Sequence, residues 1–188
     1  MLLDEQIVAI ERAFVEAGIA HAFGGAQALA YYGTVRAPHD IDVNVFVSTK
    51  EAPRVLAVLG ELGAATSDPA LQARIARDEQ ARVYWDGTPV DVFFAYDALH
   101  LSSSERRRRV DFYGDPIHIL SPEDLITYKA TFNRDKDWQD IAGMIYASEE
   151  PLDFGYVRHW LERIDSEDGL RLARLERLIA SGGRDLGT

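Results

Sequence analysis

Two aspartates two residues apart, Asp40 and Asp42, open an apolar run, Ile41 to Val47. In a strand, residues two apart point to the same face. Asp40 and Asp42 therefore project together, with Ile41 and Val43 directed into a core. Paired carboxylates repel unless a cation lies between them. An all-oxygen set of this kind suits Mg²⁺, which takes one or two protein carboxylates and leaves its other positions to water and phosphate. A plain polar strand end is the rival reading, but two unpartnered acids on an apolar strand are costly. Upstream, Gly24-Gly25 follows the short apolar segment Ile19 to Phe23 and precedes an amphipathic piece, Ala26 to Gly33. Glycines there let backbone N–H groups approach an anion, and a helix N-terminus favours negative charge. Taken alone, the pair reads equally as a tight turn. Arg36 fits a phosphate or carboxylate clamp, or a simple ion pair. Glycines for phosphate and carboxylates for metal, joined by one helix, read as a nucleoside-triphosphate site.

A further acid, Asp91, interrupts the apolar run Pro89 to Phe94. Alternation puts Asp91, Phe93 and Ala95 on one face and Val90, Val92 and Phe94 on the other. An acid on so apolar a strand is unusual unless it is a ligand. Asp137 and Asp140 fall one helical turn apart, with Asp135 as the expected N-cap; by themselves they read as a charged helix start. Arg106 to Arg109 is the densest basic run. If it is helical, its side chains cover all sides rather than one face, which reads as a solvated patch, with a contact to RNA phosphates as the alternative. The five histidines, His21, His39, His100, His118 and His159, show no metal-ligand spacing. Trp138 and Trp160 lie on apolar helical stripes and read as core.

The elements that must position these residues follow from periodicity and stop signals. Leu3 to Gly18 reads as an amphipathic helix, Ile19 to Phe23 as a strand and Ala26 to Tyr32 as a helix. Ile41 to Val47 reads as a central strand and Ala52 to Leu62 as a helix. Thr66 to Glu79 carries no clear pattern. Strands at Ala81 to Trp85 and Val90 to Phe94 flank Asp86-Gly87-Thr88-Pro89, a strong hairpin signal. Ala98 to Arg109 reads as helix and Ile117 to Leu120 as a last strand. From Ser121 the pattern is helical: Ser121 suits an N-cap, Pro122 the first turn, and Glu123 and Asp124 the positive helix end. Asp153 to Ile164 and Glu167 to Ala180 read as two closing helices. The expected class is α+β: a small mixed β-sheet core with flanking helices over residues 1–120, then a helical region, 121–188, packed on it.

Composition excludes several classes. At 188 residues, with 47% hydrophobic and 27% charged content, the chain is an ordinary globular one. There is no cysteine, so no disulfide framework and no thiolate metal site. No apolar run approaches the roughly 20 residues of a membrane span. Met1-Leu2-Leu3-Asp4-Glu5 lacks the basic start of a secretory signal, and a cytoplasmic location is the expectation. The net charge of −11 argues against nonspecific nucleic-acid binding over the whole surface.

Gly-Gly, a helix, Arg36 and then Asp-x-Asp resemble the signature of the DNA polymerase β-type nucleotidyltransferase superfamily. The resemblance implies a third carboxylate from a later strand, which Asp91 matches. It also implies two Mg²⁺ ions on Asp40, Asp42 and Asp91 and a nucleoside triphosphate as co-substrate. The segment from Ser121-Pro122-Glu123-Asp124-Leu125 through Lys129 to Arg134-Asp135-Lys136-Asp137-Trp138-Gln139-Asp140-Ile141 is similar to a narrower group, the abortive-infection-type (type IV toxin–antitoxin) nucleotidyltransferases. That likeness implies that Lys129 neutralises triphosphate charge, that Asp137 and Asp140 serve nucleotide binding, that the acceptor is the tRNA 3′ end and that an antitoxin partner exists. One departure stands out: Ala37-Pro38-His39 offer no hydroxyl before Asp40, where toxins of this kind can carry a Ser or Thr open to silencing phosphorylation. Two alternatives remain at this point. One is a small-molecule nucleotidyltransferase of the lincosamide- or aminoglycoside-modifying kind. The other is a non-catalytic nucleotide-binding module, against which the intact three-acid set argues.

Overall fold

The computed structural model describes residues 1–33, 35, 37–164 and 169–184. In chain order the first elements are α1 (Leu3–Glu16), β1 (His21–Phe23), α2 (Gly25–Leu29), β2 (Ile41–Val45), α3 (Ala52–Glu61), α4 (Leu71–Asp78), β3 (Gln80–Trp85), β4 (Thr88–Phe94), α5 (Ala98–Arg106), β5 (Arg108–Phe112) and β6 (Asp115–Ile119). Four helices follow: α6 (Pro122–Phe132), α7 (Asp135–Ala147), α8 (Phe154–Ile164) and α9 (Leu170–Ser181). The chain divides into two units: Met1–Gln27 with Ala37–Leu120, and Ala28–Arg36 with Ser121–Thr188.

In the first unit the strands form one mixed sheet, ordered β3-β4-β2-β1-β6-β5. The pairs β2–β4 and β1–β6 are parallel; β3–β4, β1–β2 and β5–β6 are antiparallel. Antiparallel neighbours need only a tight turn, whereas the parallel β2–β4 pair needs a long crossover, here supplied by α3, α4 and β3. The hairpin turn expected at Asp86-Gly87 is present, with φ of 48° and 84° at its two residues. Both values are positive, as a type I′ turn requires. Alternation is clean beyond it: Ala81, Val83 and Trp85 of β3 and Val90, Val92 and Phe94 of β4 are buried, while Arg82 and Asp91 face the other way. Ile41, Val43 and Val45 of β2 share the buried side, and Ile7, Ile10 and Phe14 of α1 and Val55 and Leu59 of α3 are buried with them. Gln6 of α1 donates to the Trp85 carbonyl at 2.9 Å.

Three local expectations are corrected. The stretch from Thr66 to Glu79 contains α4, whose buried Leu71 and Ile75 stand four apart on one helix face. The helix begun at Ala98 ends at Arg106, because Arg107 turns to φ −53°, ψ 143° and starts an extended segment. Arg108 and Arg109 therefore lie in the edge strand β5, exposed, and not on a helix. A second turn with two positive φ values, Tyr113-Gly114, closes β5 onto β6. Finally, α7 is capped by Arg134 and not by Asp135: Asp137, at the third helical position, accepts the Arg134 N–H at 3.2 Å.

Among the described residues, the second unit holds the end of α2 and the helices α6 to α9. Ser121 caps α6, its hydroxyl accepting the Asp124 N–H at 3.2 Å, with Pro122 in the first turn as expected. α6 contacts α7, α8 and α9. Its core holds Leu125, Ile126, Trp138, Ile141, Met144, Val157, Leu161, Leu175 and Leu178. Trp138 is fully buried and donates to Asn133 at 2.8 Å; Trp160 is only partly buried. No helix among the described residues is long and apolar enough to cross a membrane.

Candidate active site

The parallel register of β2 and β4 sets Asp42 directly beside Asp91. Asp40 precedes Asp42 by two residues, and one carboxylate oxygen from each of the three acids lies within 4.8 Å of the others. The intervening Ile41 and the following Val43 are 0% exposed on the opposite face. The acids are thus fixed by a buried apolar face that cannot slip register without inverting the strand.

Gly24 and Gly25 run directly against this group. The Gly24 N–H donates to the Asp42 carbonyl at 2.9 Å, extending the β1–β2 ladder by one rung. Its N–H is therefore committed to the backbone. A Cβ at Gly24 would meet Asn44 Nδ2 at 3.0 Å. At Gly25, where φ is +49° and α2 begins, a Cβ would fall 1.8 Å from Asp42 Oδ2. Only glycine allows the chain to turn here with the carboxylate so close. Gln27, in the first turn of α2, donates to the Asp40 carbonyl at 2.9 Å, and its Oε1 is buried without a hydrogen-bond partner among the described residues. The sequence reading missed Gln27.

It also missed Arg82. This side chain, opposite Asp91 in the β3–β4 register, engages Asp91 through Nε at 2.7 Å and Nη2 at 2.5 Å. The hydrogen bonds and charge of Asp91 hold the arginine's pKa above its already high ordinary value. The signal was in the sequence: a two-residue turn at Asp86-Gly87 puts position 82 across from position 91.

The other expected residues belong to the second unit. Arg36 lies outside the described residues. Lys129 and Asp140 belong to the second unit, where Nζ and Oδ2 are 2.6 Å apart with both side chains largely buried. Asp137 does not share that pair; it is bound to the Arg134 backbone and guanidinium at the start of α7.

A separate cluster joins three elements of the first unit. Glu11 of α1 lies 2.9 Å from His21 Nε2 and 2.7 Å from His118 Nδ1, and also accepts the His118 backbone N–H at 2.9 Å. His21 Nδ1 faces the Ile19 carbonyl at 2.8 Å. Both nitrogens of His21 thus face oxygen atoms, the Ile19 carbonyl and the Glu11 carboxylate. Burial pushes the Glu11 carboxyl up, but the hydrogen bonds from His21 and His118 and the charge of His21 outweigh it and bring it down to about 2. Histidine spacing along the chain gave no hint of this cluster, because its members meet only in the fold.

No protein-family profile matches the sequence, and no curated protein does. Solved structures share the fold. ANT(2'')-Ia in complex with adenylyl-2''-tobramycin aligns with a TM-score of 0.53 at 15% identity, over 95% of this chain and 95% of that one. The solution structure of the antibiotic-resistance factor ANT(2'')-Ia aligns with a TM-score of 0.54 at 15% identity, over 95% of this chain and 92% of that one. An antigenic nucleotidyltransferase-like protein from Paracoccidioides brasiliensis aligns at 0.49 and 14%, over 95% and 92%. The fold, a mixed six-stranded sheet with helices, is the nucleotidyltransferase-like one.

Proposed function

We propose that this chain is a metal-dependent nucleotidyltransferase that moves a nucleoside monophosphate from a nucleoside triphosphate to an acceptor hydroxyl. The observation that carries the reading is the convergence of Asp40, Asp42 and Asp91 within 4.8 Å on a sheet of this fold. The residues fit Mg²⁺ on two counts: the donor set is all oxygen, and Gly25, where a Cβ would fall 1.8 Å from Asp42 Oδ2, accommodates the Asp42 carboxylate. Two Mg²⁺ ions held by Asp40, Asp42 and Asp91 would supply charge neutralisation at the triphosphate and a lowered pKa at the acceptor hydroxyl. Asp42, flanked by Asp40 in the chain and by Asp91 in the sheet, would hold metal together with both of them. Asp91 is the candidate to receive the acceptor's proton. The backbone of Gly25 at the start of α2 brings N–H donors toward phosphate. Lys129, Asp137 and Asp140 of the second unit stay nucleotide-binding candidates on the strength of the resemblance alone, as does Arg36.

For the acceptor, a small hydroxyl-bearing molecule is the better-supported reading. A net charge of −11 repels a polyanion, and the shared fold includes a protein whose complex holds adenylylated tobramycin. The tRNA 3′ end, with a cognate antitoxin, is the second reading. It rests on the abortive-infection resemblance and on the exposed Arg108 and Arg109 of β5.

The test is direct. The protein is incubated with Mg²⁺ and each of the four labelled nucleoside triphosphates, with either total tRNA or a panel of aminoglycosides and other polyhydroxylated amines. Mn²⁺ plus a triphosphate should raise the melting temperature, because a ligand that binds only the folded state stabilises it. No shift with any triphosphate and no label transferred would sink the proposal. Label appearing on tRNA, and lost on replacing Arg108 and Arg109 by Ala, would put the second reading first.

A further inference from the structure

We propose that Arg82 is an internal counter-ion that occupies the third acid until a divalent cation displaces it, so that cation binding at Asp91 is an exchange. This rests on the metal-dependent reading of the three acids and names a residue that controls it.

Three ionised carboxylates brought within 4.8 Å repel one another, and among them Asp91 carries a bidentate guanidinium on both of its oxygens. The pairing is set by the fold. Residues 82 and 91 are direct cross-strand partners, and the Asp86-Gly87 turn fixes that register. A fork of this geometry is the strong form of an arginine–carboxylate contact. It offsets part of the repulsion among the acids. The same contact opposes a metal, since a guanidinium on Asp91 repels a divalent ion and covers the oxygens the ion needs.

The two partners differ in how they are held. The Asp91 side chain is 16% exposed and belongs to a central strand, whereas the Arg82 side chain is 52% exposed on the edge strand β3. When a divalent ion arrives, the carboxylate stays and the guanidinium swings into water at little cost in packing. The ion then replaces one positive charge with two at the position where the acceptor hydroxyl is to be activated. Arg82 therefore sets the cation concentration at which the acceptor side of the site becomes loaded. It acts through Asp91 and is a positioning residue, not a catalytic one.

The experiment is a Mn²⁺ titration without triphosphate, following the free-ion paramagnetic resonance signal, on wild type, Arg82→Gln, Arg82→Lys and Arg82→Gln with Asp91→Asn. Removing the competing charge should tighten Mn²⁺ binding about tenfold or more in Arg82→Gln. Arg82→Lys, which keeps the charge and loses the fork, should fall between Arg82→Gln and wild type. The gain should vanish in the double variant, since it depends on a charged Asp91. A purely structural role would instead lower the melting temperature and leave Mn²⁺ affinity unchanged or weaker. Arg82→Gln binding Mn²⁺ no tighter than wild type overturns the proposal; if that variant does not fold, Arg82→Lys indistinguishable from wild type does so. If wild type and all variants fail to bind Mn²⁺ even with triphosphate present, the metal-dependent reading itself falls, and the exchange falls with it.

Discussion

Asp42 and Asp91 are register partners across a parallel strand pair, β2 against β4, with their side chains on the face opposite the buried valines on either strand. Direct partners on one sheet face have Cβ atoms only about 5 Å apart, and like charges so placed are destabilising unless a cation is shared. The relationship makes the two acids one electrostatic unit, yet with different neighbours: Asp42 has Asp40 and Gly25, and Asp91 has Arg82.

That asymmetry predicts different losses. Asp91→Asn keeps volume and removes one charge. Triphosphate binding should stay within a few-fold, while transfer of the labelled monophosphate falls by about 10²-fold or more, as when a general base or activated nucleophile is lost. Asp42→Asn should damage both. Near-full transfer by Asp91→Asn would remove Asp91 from the site.

Gly25→Ala should be far worse than an ordinary glycine replacement. At Gly25 the new methyl meets the Asp42 carboxylate as well as the positive φ; at Gly87, with φ +84°, nothing lies within 4 Å. Gly87→Ala should cost about 1–2 kcal/mol of backbone strain and leave Mn²⁺ binding intact. Gly25→Ala should lose Mn²⁺ binding as well as stability. Calorimetry of both variants with and without the ion separates the two effects, and equal Mn²⁺ affinity in both would contradict the packing of Gly25 on Asp42.

How much of this was legible depended on whether the signal was local. Asp42 and Asp91 stood out because each interrupts an apolar strand, with Asp40 just before the first, and period-two alternation put Asp42 and Asp91 on the face opposite the buried valines. Asp86-Gly87 and Ser121-Pro122 announced their turn and helix start through backbone preferences that act over two or three residues. β5 was hidden because Arg is a good helix former and Ala98 to Arg106 is a genuine helix; the Val110 and Phe112 alternation before Tyr113-Gly114 was the overlooked cue. α4 offered only Leu71 and Ile75 as apolar content. Glu11, His21 and His118 come from three elements, and no pattern along the chain brings them together. Asp135 looked like a cap by residue type, but Asp137 satisfied the Arg134 N–H.

Acid should weaken the Glu11 cluster. Glu11 falls from an ordinary 4.5 to about 2 through His21 and His118, despite its burial. A depressed carboxylate contributes fully above its unfolded pKa and loses that contribution as pH falls through the interval to its folded value. Up to about 3 kcal/mol should therefore disappear between about pH 4.5 and about pH 2. Urea midpoints measured across this range should drop steeply for wild type and less so for Glu11→Gln. Parallel curves would assign the acid sensitivity to another group.

Lys129 and Asp140 test the second unit. Their side chains are 7% and 12% exposed, so Asp140→Ala leaves an ammonium buried and unpaired, at a cost of about 3–5 kcal/mol. Replacing both, Lys129→Met with Asp140→Leu, should restore most of that stability. If Lys129 serves the triphosphate, the restored double variant should still bind it at least about tenfold more weakly, by roughly the 1.4 kcal/mol that a tenfold change represents. Wild-type triphosphate affinity in the double variant would make the pair purely structural.

The parallel pairing of β2 with β4 also has a consequence in time. Its two strands are separated in the chain by α3, α4 and β3, so the third acid joins the first two only after a long loop has closed. A chain emerging during synthesis presents Asp40 and Asp42 well before Asp91, and in that interval it has two of the three acids. Any activity that needs all three acids is silent until the crossover is complete, so recovery of divalent-ion binding during refolding should track the last long-range step and not the early helices.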